Sequence, residues 1–434
     1  MTKIVKHLRD ASLVAKIQKA FGVKIHYRTN LKKHEDDSCN ATREIVSREL
    51  EHDLNNCSSN CEESKKNGHV LTEKKSVDFA STCASNDEEK RLSSIARNPN
   101  YTISNYFWYY LFLFGTELGD EIFYCTFIPF WFWNIDGVVG RRIISVWCIV
   151  MTTGQTLKDI IRWPRPACPP AVRLQKKWSE EYGMPSTHAM IGVSIPFSVV
   201  LFTMNRYIYS LSIGCTIAFL WCTLVCTSRL YLGMHTVLDI LAGLTLAITL
   251  MIPLVPLVDT IDDYIVCNIW ALATLIAISI CVIVYYPSGK KWTPTRGDTC
   301  MVVSVTTGVH LGTWLNYKTG VMLAPTIQPP YHIVWPSHLM YGCMILRTVL
   351  GLCSILAIRS LCKQFSYRTM CAILKINFKD LMNSKNYSKN KNTIFIDLVN
   401  KYLTCFMIGV NTVYLLPKAF SMIGIERSAF YTEL

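Results

Sequence analysis

Charge is scarce in this sequence. Of its 434 residues only 17% are Asp, Glu, Lys or Arg, whereas 50% are hydrophobic. Soluble domains of ordinary composition carry about 25% charged residues, and a mean hydropathy of +0.24 points the same way, so a soluble globular protein is excluded as the simplest reading. Regular cysteine spacing is also missing. Most of the 18 Cys, among them Cys148, Cys222, Cys226, Cys267, Cys281 and Cys353, lie inside apolar segments, where Cys behaves as a small hydrophobe and not as part of a disulfide framework. Cys57 and Cys61, with Cys39 and Cys83 nearby, are irregularly spaced and no His pair follows, so they do not read as a zinc site. The run His34-Glu35-Asp36-Asp37 reads as a solvated charge cluster. The formal charge of +13 is spread over the ends of apolar runs, with no repeated aromatic platform; this argues against nucleic-acid binding and for contact with anionic headgroups. A secretory signal is absent, since neither a compact apolar core nor a small-residue cleavage site occurs near the start. No internal repeat is evident.

What is present divides the chain. Residues 1–25 place apolar side chains at helical spacing with Lys and Arg between them, the pattern of an amphipathic helix lying on a membrane surface. A mitochondrial presequence is the alternative for this basic stretch, whose only acid is Asp10. Residues 30–98 are rich in Ser, Asn, Glu, Asp and Lys and poor in aromatics, the composition of a disordered linker. Apolar spans follow near 103–117, 121–135, 142–157, 190–204, 207–227, 235–256, 265–286, 299–323, 337–360 and 394–416. The fold expected is therefore an all-α, polytopic transmembrane helix bundle with about eight to ten crossings. Three regions are expected: 1–99, a cytosolic N-terminal region; 100–260, the catalytic transmembrane core; and 261–434, additional C-terminal membrane helices. With Thr306, Thr307, Gly308, His310 and Asn316, the span 299–323 is polar enough to be re-entrant.

Three short stretches carry chemistry. The first, Lys158 to Pro166, sets Lys158 just past a span and Arg165 in a turn braced by Pro164 and Pro166. Proline restricts its own backbone and that of the preceding residue, which holds the guanidinium in place. Arg offers phosphate oxygens a planar fork and Lys a compact charge; snorkelling to lipid headgroups is the bland alternative. The second, Pro185 to His188, lets Ser186 cap the next helix and turn its unpaired N–H groups toward an anion, with His188 poised to donate a proton. An ordinary cap beside an interfacial His would look the same. The third, Ser228 to Asp239, contains Arg229 and the pair His235 and Asp239, four apart. On one helical face, the carboxylate could bond one imidazole nitrogen and leave the other as a nucleophile. No carboxylate cluster accompanies these motifs, so a metal-free phosphate site with no cofactor is expected.

In this order and spacing (Lys-x6-Arg-Pro, Pro-Ser-x-His, Ser-Arg-x5-His-x3-Asp), the motifs resemble the type 2 phosphatidic acid phosphatase superfamily. The text around them (RPACPP, EYGMPSTHAM, LVCTSRLYLGMH, TRGDT) is similar to the sphingosine-1-phosphate phosphatase branch, over about residues 100–430. Thr187 stands where the broad superfamily has glycine, and threonine there resembles the sphingoid branch. The resemblance implies an enzyme, a phosphoric monoester hydrolase, with His235 as nucleophile, Asp239 orienting it, and His188 as acid and then base. Lys158, Arg165, Ser186, Thr187 (through its backbone) and Arg229 would hold the phosphoryl group. The implied substrate is a sphingoid-base 1-phosphate drawn from the bilayer; a broad phosphatidate or polyprenyl-phosphate phosphatase, and a non-catalytic lipid transporter or scaffold, are the rivals. Because sphingoid phosphates carry an ammonium, a carboxylate of the turn Gly115 to Glu121, Glu117 first, is expected to meet it. Counting spans from a cytosolic N-terminus puts the catalytic loops at the lumenal face, and the resemblance implies the endoplasmic reticulum membrane. Of the sequons Asn40, Asn56, Asn100 and Asn386, the first three would then be cytosolic. Nothing in the residues speaks to oligomeric state.

Overall fold

The computed structural model describes residues 2–26, 100–175, 177–178, 180–287, 293–322, 328–374, 391–427 and 430–431. The four cysteines considered above for zinc, the acidic run at 34–37, and the sequons Asn40, Asn56 and Asn386 lie outside them.

The fold is helical. Helix α1 (Thr2–Arg9) and helix α2 (Ala11–Ala20) are separate because Asp10 caps α2, its carboxylate accepting from Ser12 N at 2.9 Å. The single amphipathic helix expected over 1–25 is thus two, followed by strand β1 (Val23–His26), which pairs antiparallel with β2 (Asn100–Ile103). Next come α3 (Tyr106–Glu117), α4 (Glu121–Asn134), α5 (Gly137–Ile161), α6 (Thr187–Thr203) and α7 (Leu211–Tyr231). The last group is α8 (Val237–Cys267), α9 (Ile269–Val284), α10 (Thr295–Lys318), α11 (His338–Leu374), α12 (Lys391–Val410) and α13 (Leu416–Ile423), the last two joined by a π-helical turn over Asn411–Leu415. Short strands β3 (Tyr207–Ile208) and β4 (Tyr331–His332) pair in parallel at one end of the bundle. Among the described residues, four segments are long and apolar enough to cross a membrane by length and composition: Leu211–Tyr231, Val237–Cys267, His338–Leu374 and Thr393–Ile423.

Packing shows how the expected spans are used. Phe112 touches Tyr231, the glycine at 115 lies against Leu224, Phe123 and Phe127 flank Trp221, and Trp131 and Ile135 share a groove with Ile217 and Gly214. The chain from 106 to 135 therefore runs once, antiparallel, along the whole of α7. Helices α3 and α4 are two halves of one crossing, broken at 118–120, and not two crossings. Helix α10 is continuous from Thr295, bonded to Asp159, to Asn316, bonded to Val413 O, so it is not re-entrant. Counted this way, the described residues pass through the bundle nine times.

This moves the N-terminal helices. Helix α2 packs on α7, Arg9 stacks over Trp163 at 4.3 Å, and the side chain of Gln18 bonds Val172 and Tyr231. Residues 2–26 thus share an end of the bundle with the 158–186 and 229–239 segments. A cytosolic N-terminus and a lumenal catalytic end, both expected from the sequence, exclude each other; the error was the extra crossing assigned to α3 and α4. Helix α8 runs unbroken from 237 to 267, across the expected boundary at 260.

At the far end, buried ion pairs clamp the bundle: Arg141 Nε lies 3.0 Å from Asp262, and Arg206 Nε lies 3.0 Å from Asp136. Asp136 also caps α5, accepting from Val138 N and Val139 N at 2.9 and 3.1 Å. The main apolar core joins α4, α5, α6 and α8 through Phe132, Ile143, Val150, Met190, Ile195 and Ala247. Its rigidity fixes the end of the bundle where the motif residues meet.

Candidate active site

Each motif residue sits where a helix ends. Helix α5 stops at Arg162, whose φ of 54° is left-handed and whose N–H closes on Lys158 O at 2.9 Å. The side chain of Lys158, 1% exposed, donates to Glu181 Oε2 at 2.6 Å and Thr187 Oγ1 at 2.9 Å. Past the turn, Arg165 donates through Nε to Glu181 O (2.9 Å) and through Nη1 to Met234 O (2.8 Å), and the same Nη1 lies 3.4 Å from His235 Nε2. The guanidinium therefore ties the first loop to the third.

Ser186 caps α6, its hydroxyl accepting from Ala189 N at 3.5 Å, while its own N–H donates to Asp239 O at 3.1 Å. His188, one step inside α6, has no hydrogen-bond partner at Nε2 among the described residues. Its ring lies against Gly119, where a Cβ would stand 2.9 Å from Cδ2, and edge-on to Trp178 at 6.2 Å. Arg229 is fully buried; Nη1 donates to Thr116 Oγ1 (2.5 Å) and Gln175 Oε1 (3.1 Å), while Nε and Nη2 have no bond among the described residues.

The His235–Asp239 pair forms differently from the sequence expectation. His235 is not helical: Thr236 caps α8, and Asp239 completes a capping box by accepting from Thr236 N at 2.8 Å. The cap, not a shared helical face, turns Asp239 Oδ2 toward His235 Nδ1. They stand 3.8 Å apart, too far for a hydrogen bond, with His235 Nδ1 otherwise unpartnered. Nε2 is left facing Arg165. His235 lies in the turn between α7 and α8, and burial, then Arg165, Arg229 and Lys158, push its imidazole well below the usual value. It is a neutral base, the form in which a nitrogen can attack.

Gly233 makes this turn possible. Its φ is +68°, and a Cβ there would strike Val172 O. Across the same contact Leu174 N donates to Leu232 O at 3.1 Å. Gln18, 0% exposed, completes it with three bonds: Nε2 donates to Val172 O (2.7 Å) and Tyr231 O (2.8 Å), and Val172 N donates to Oε1 (3.0 Å).

The structure thus brings together Lys158, Arg165, Ser186, Thr187, His188, Arg229, His235 and Asp239 at one buried end. Glu117 does not join them: its side chain is exposed and does not line the cavity beside His188. The sequence reading missed Glu181, the carboxylate that holds Lys158 and approaches Arg165 at 3.8 Å, and it missed Gln18. An acidic pair, Glu180 and Glu181, in an otherwise basic loop was the available signal for the first. Gln18 had none, because nothing in a helical period shows which polar side chain will be buried.

An all-helical membrane bundle with a cationic, two-histidine pocket defines a class of phosphoryl-transfer protein, and the comparisons name it. The PAP2 superfamily profile matches residues 140–263. Sphingosine-1-phosphate phosphatase 1 of Rattus norvegicus is 38% identical over 325 residues, covering 75% of this chain and 74% of that protein. Human sphingosine-1-phosphate phosphatase 2 is 35% identical over 335 residues, 75% and 80% of the two chains. A dihydrosphingosine 1-phosphate phosphatase of Schizosaccharomyces pombe is 25% identical over 303 residues, 67% and 68%. No solved structure matches. The chain belongs to the sphingosine-1-phosphate phosphatase family within the PAP2 superfamily.

Proposed function

We propose that this protein is a membrane lipid phosphatase that hydrolyses sphingoid-base 1-phosphates, sphingosine 1-phosphate and its dihydro form, to the free base and phosphate. The observation that carries this reading is the convergence of three buried cations on two neutral-capable imidazoles, with His188 Nε2 and His235 Nδ1 both lacking a hydrogen-bond partner among the described residues. Lys158, Arg165 and Arg229 face two carboxylates, Glu181 and Asp239, which leaves one positive charge among buried side chains. A phosphate dianion and a proton on His188 bring that to neutrality, so the substrate itself supplies the missing charge.

We infer the following steps, which the family resemblance implies and the geometry supports. His235 Nε2 donates its lone pair to phosphorus, and the P–O ester bond breaks. The bond's electrons go to the departing alkoxide, which takes the proton from His188. Neutral His188 then takes a proton from water; the water oxygen bonds to phosphorus and the P–N bond breaks, releasing phosphate and restoring His235. Asp239 faces the positive charge that develops on His235. Lys158, Arg165, Arg229, the Thr187 backbone and the capped start of α6 hold the phosphoryl oxygens.

The experiment is to trap the intermediate. A labelled substrate should leave acid-labile, base-stable phosphate on the wild-type protein and none on His235→Ala, which should still insert in membranes. Labelling of His235→Ala at the wild-type level, or faster turnover of phosphatidate than of sphingosine 1-phosphate without divalent metal, would reject this reading.

For location, we propose the endoplasmic reticulum membrane with the catalytic end facing the lumen. Since α1 and α2 pack on that end, they face the lumen too. Basic residues stand at both ends of the bundle, Lys16, Lys19 and Lys177 at one and Arg141, Arg142 and Arg206 at the other, so charge alone does not choose. A glycosylation sequon introduced at exposed Lys19 should be modified, and one introduced beside Arg206 should not. The opposite pattern reverses the orientation.

A further inference from the structure

The cavity beside His188 is small, about 20 Å³, and is lined by Asp120, Glu121 and Glu181 together with Tyr124, Trp147 and Trp178. Two of the carboxylates are occupied. Asp120 accepts from Lys177 at 2.7 Å, and Glu181 Oε2 from Lys158 at 2.6 Å. Glu121 has no ion pair or hydrogen bond among the described residues, although it lies half-buried within an apolar bundle. Among the described residues, Glu181, 6% exposed, has an Oε1 with no partner, and His188, 9% exposed, has the same at Nε2; both side chains border the cavity. Polar groups so placed, without partners, indicate a missing cationic or hydrogen-bonding ligand.

The chemistry of the site says where that ligand's charge must be. His188 protonates the leaving oxygen, so the alcohol half of the substrate lies on its side of the phosphorus. Gly119 presses directly on His188, so the first carbons of that alcohol meet the 119–121 turn. In a 2-amino-1-phosphate the nitrogen is three bonds from the ester oxygen, a few ångströms away and at the same depth.

We propose that Glu121, with Glu181 Oε1 opposite, forms an ammonium subsite that selects phosphate monoesters bearing an amine next to the ester carbon over those with none. Glu121 takes the role that the sequence suggested for Glu117. The inference rests on the phosphatase reading above and deepens it. The carboxylate neutralises the ammonium only when the lipid is seated with its oxygen at His188, so amine recognition and proton delivery are set by one turn.

The test uses purified full-length protein in detergent micelles, with sphingosine 1-phosphate and the monoalkyl phosphate of equal chain length as substrates. Wild type should prefer the amine-bearing substrate at least tenfold in kcat/KM. Glu121→Gln should bring that ratio close to one, mainly by raising KM for sphingosine 1-phosphate, and Glu121→Asp should restore part of it. An unchanged ratio in Glu121→Gln overturns the proposal, and so does loss of both activities together, which would assign Glu121 to folding or chemistry. Wild type hydrolysing both esters without preference removes the subsite but leaves the phosphatase; hydrolysis of neither removes the phosphatase reading itself.

Discussion

Gln18 offers the sharpest perturbation, because it lies outside every motif yet holds two catalytic segments together. Its amide makes three buried hydrogen bonds, to Val172 O, Tyr231 O and Val172 N. Gln18→Leu keeps the volume and removes all three. At a net contribution of about 1 kcal/mol per bond the loss is about 3 kcal/mol, and more where backbone groups stay dry and unpaired. Since each 1.4 kcal/mol is tenfold, the docked arrangement weakens about a hundredfold. The effect on rate follows from connectivity. Val172 packs on Gly233, and Met234, one residue on, accepts from Arg165 and precedes His235. A loosened contact therefore misplaces the nucleophile, and kcat should fall at least tenfold with little change in KM. Tryptic cleavage at exposed Lys16 and Lys19 should accelerate in the same variant. Gln18→Glu should fail to rescue, since a carboxylate accepts from Val172 N but donates to neither carbonyl. Wild-type turnover and wild-type protection in Gln18→Leu would refute the reasoning.

Asp239→Asn keeps an oxygen for the Thr236 cap but removes the charge facing His235 Nδ1; kcat should drop about 10²–10⁴-fold, as when a triad carboxylate is neutralised, with thermal stability almost unchanged. Equal losses of both would assign Asp239 to the fold. Arg165→Gln tests the electrostatics of the nucleophile. Burial and then the Arg165 cation hold the His235 pKa down, so His235 is uncharged through neutral pH. Removing the cation favours imidazolium and raises that pKa, so the acid limb of kcat/KM should move to higher pH than in wild type with the same substrate. A limb moving to lower pH would contradict the assignment. Gly233→Ala places a Cβ at positive φ against Val172 O; about 1–3 kcal/mol of strain is expected, with activity lost before the protein leaves the membrane. Wild-type activity in this variant would show that the turn can open without harm.

The helices were legible in the sequence because apolar runs of membrane length report themselves: every span read there coincides with a helix. The three motifs were legible because Pro, Ser and Arg at helix ends have physical reasons to be there. What was not legible is depth. Helices α3 and α4 are apolar throughout, and nothing in Leu118-Gly119-Asp120 distinguishes a surface turn from a break inside the bundle. That ambiguity produced the extra crossing, and with it the placing of the N-terminus and the catalytic loops at opposite ends of the bundle. The His235–Asp239 spacing was read as a helical i, i+4 pair, whereas the same spacing arises from a capping box, which fixes the carboxylate through the backbone instead of a shared face. Glu181 and Gln18 are tertiary partners, and no local pattern marks a polar side chain for burial.

The break at 118–120 also explains why a glycine stands there. A bent crossing is tolerated at membrane depth only where its free backbone groups border protein or a polar cavity, and here it borders His188. A Cβ on Gly119 would stand 2.9 Å from His188 Cδ2, closer than real contacts allow. Gly119→Ala must therefore tilt the imidazole or push the turn away, at about 1–3 kcal/mol for an overpacked contact. Turned aside, His188 protonates every leaving alcohol less well, so kcat should fall roughly ten- to a hundredfold for amine-bearing and amine-free esters alike. Glu121, two residues further, should change the ratio between those substrates. Two neighbouring positions then separate chemistry from recognition: Gly119→Ala lowers both rates with the preference intact, and Glu121→Gln alters the preference. If Gly119→Ala instead changed the preference and left the amine-free rate at the wild-type level, His188 would not be the group that protonates the leaving oxygen.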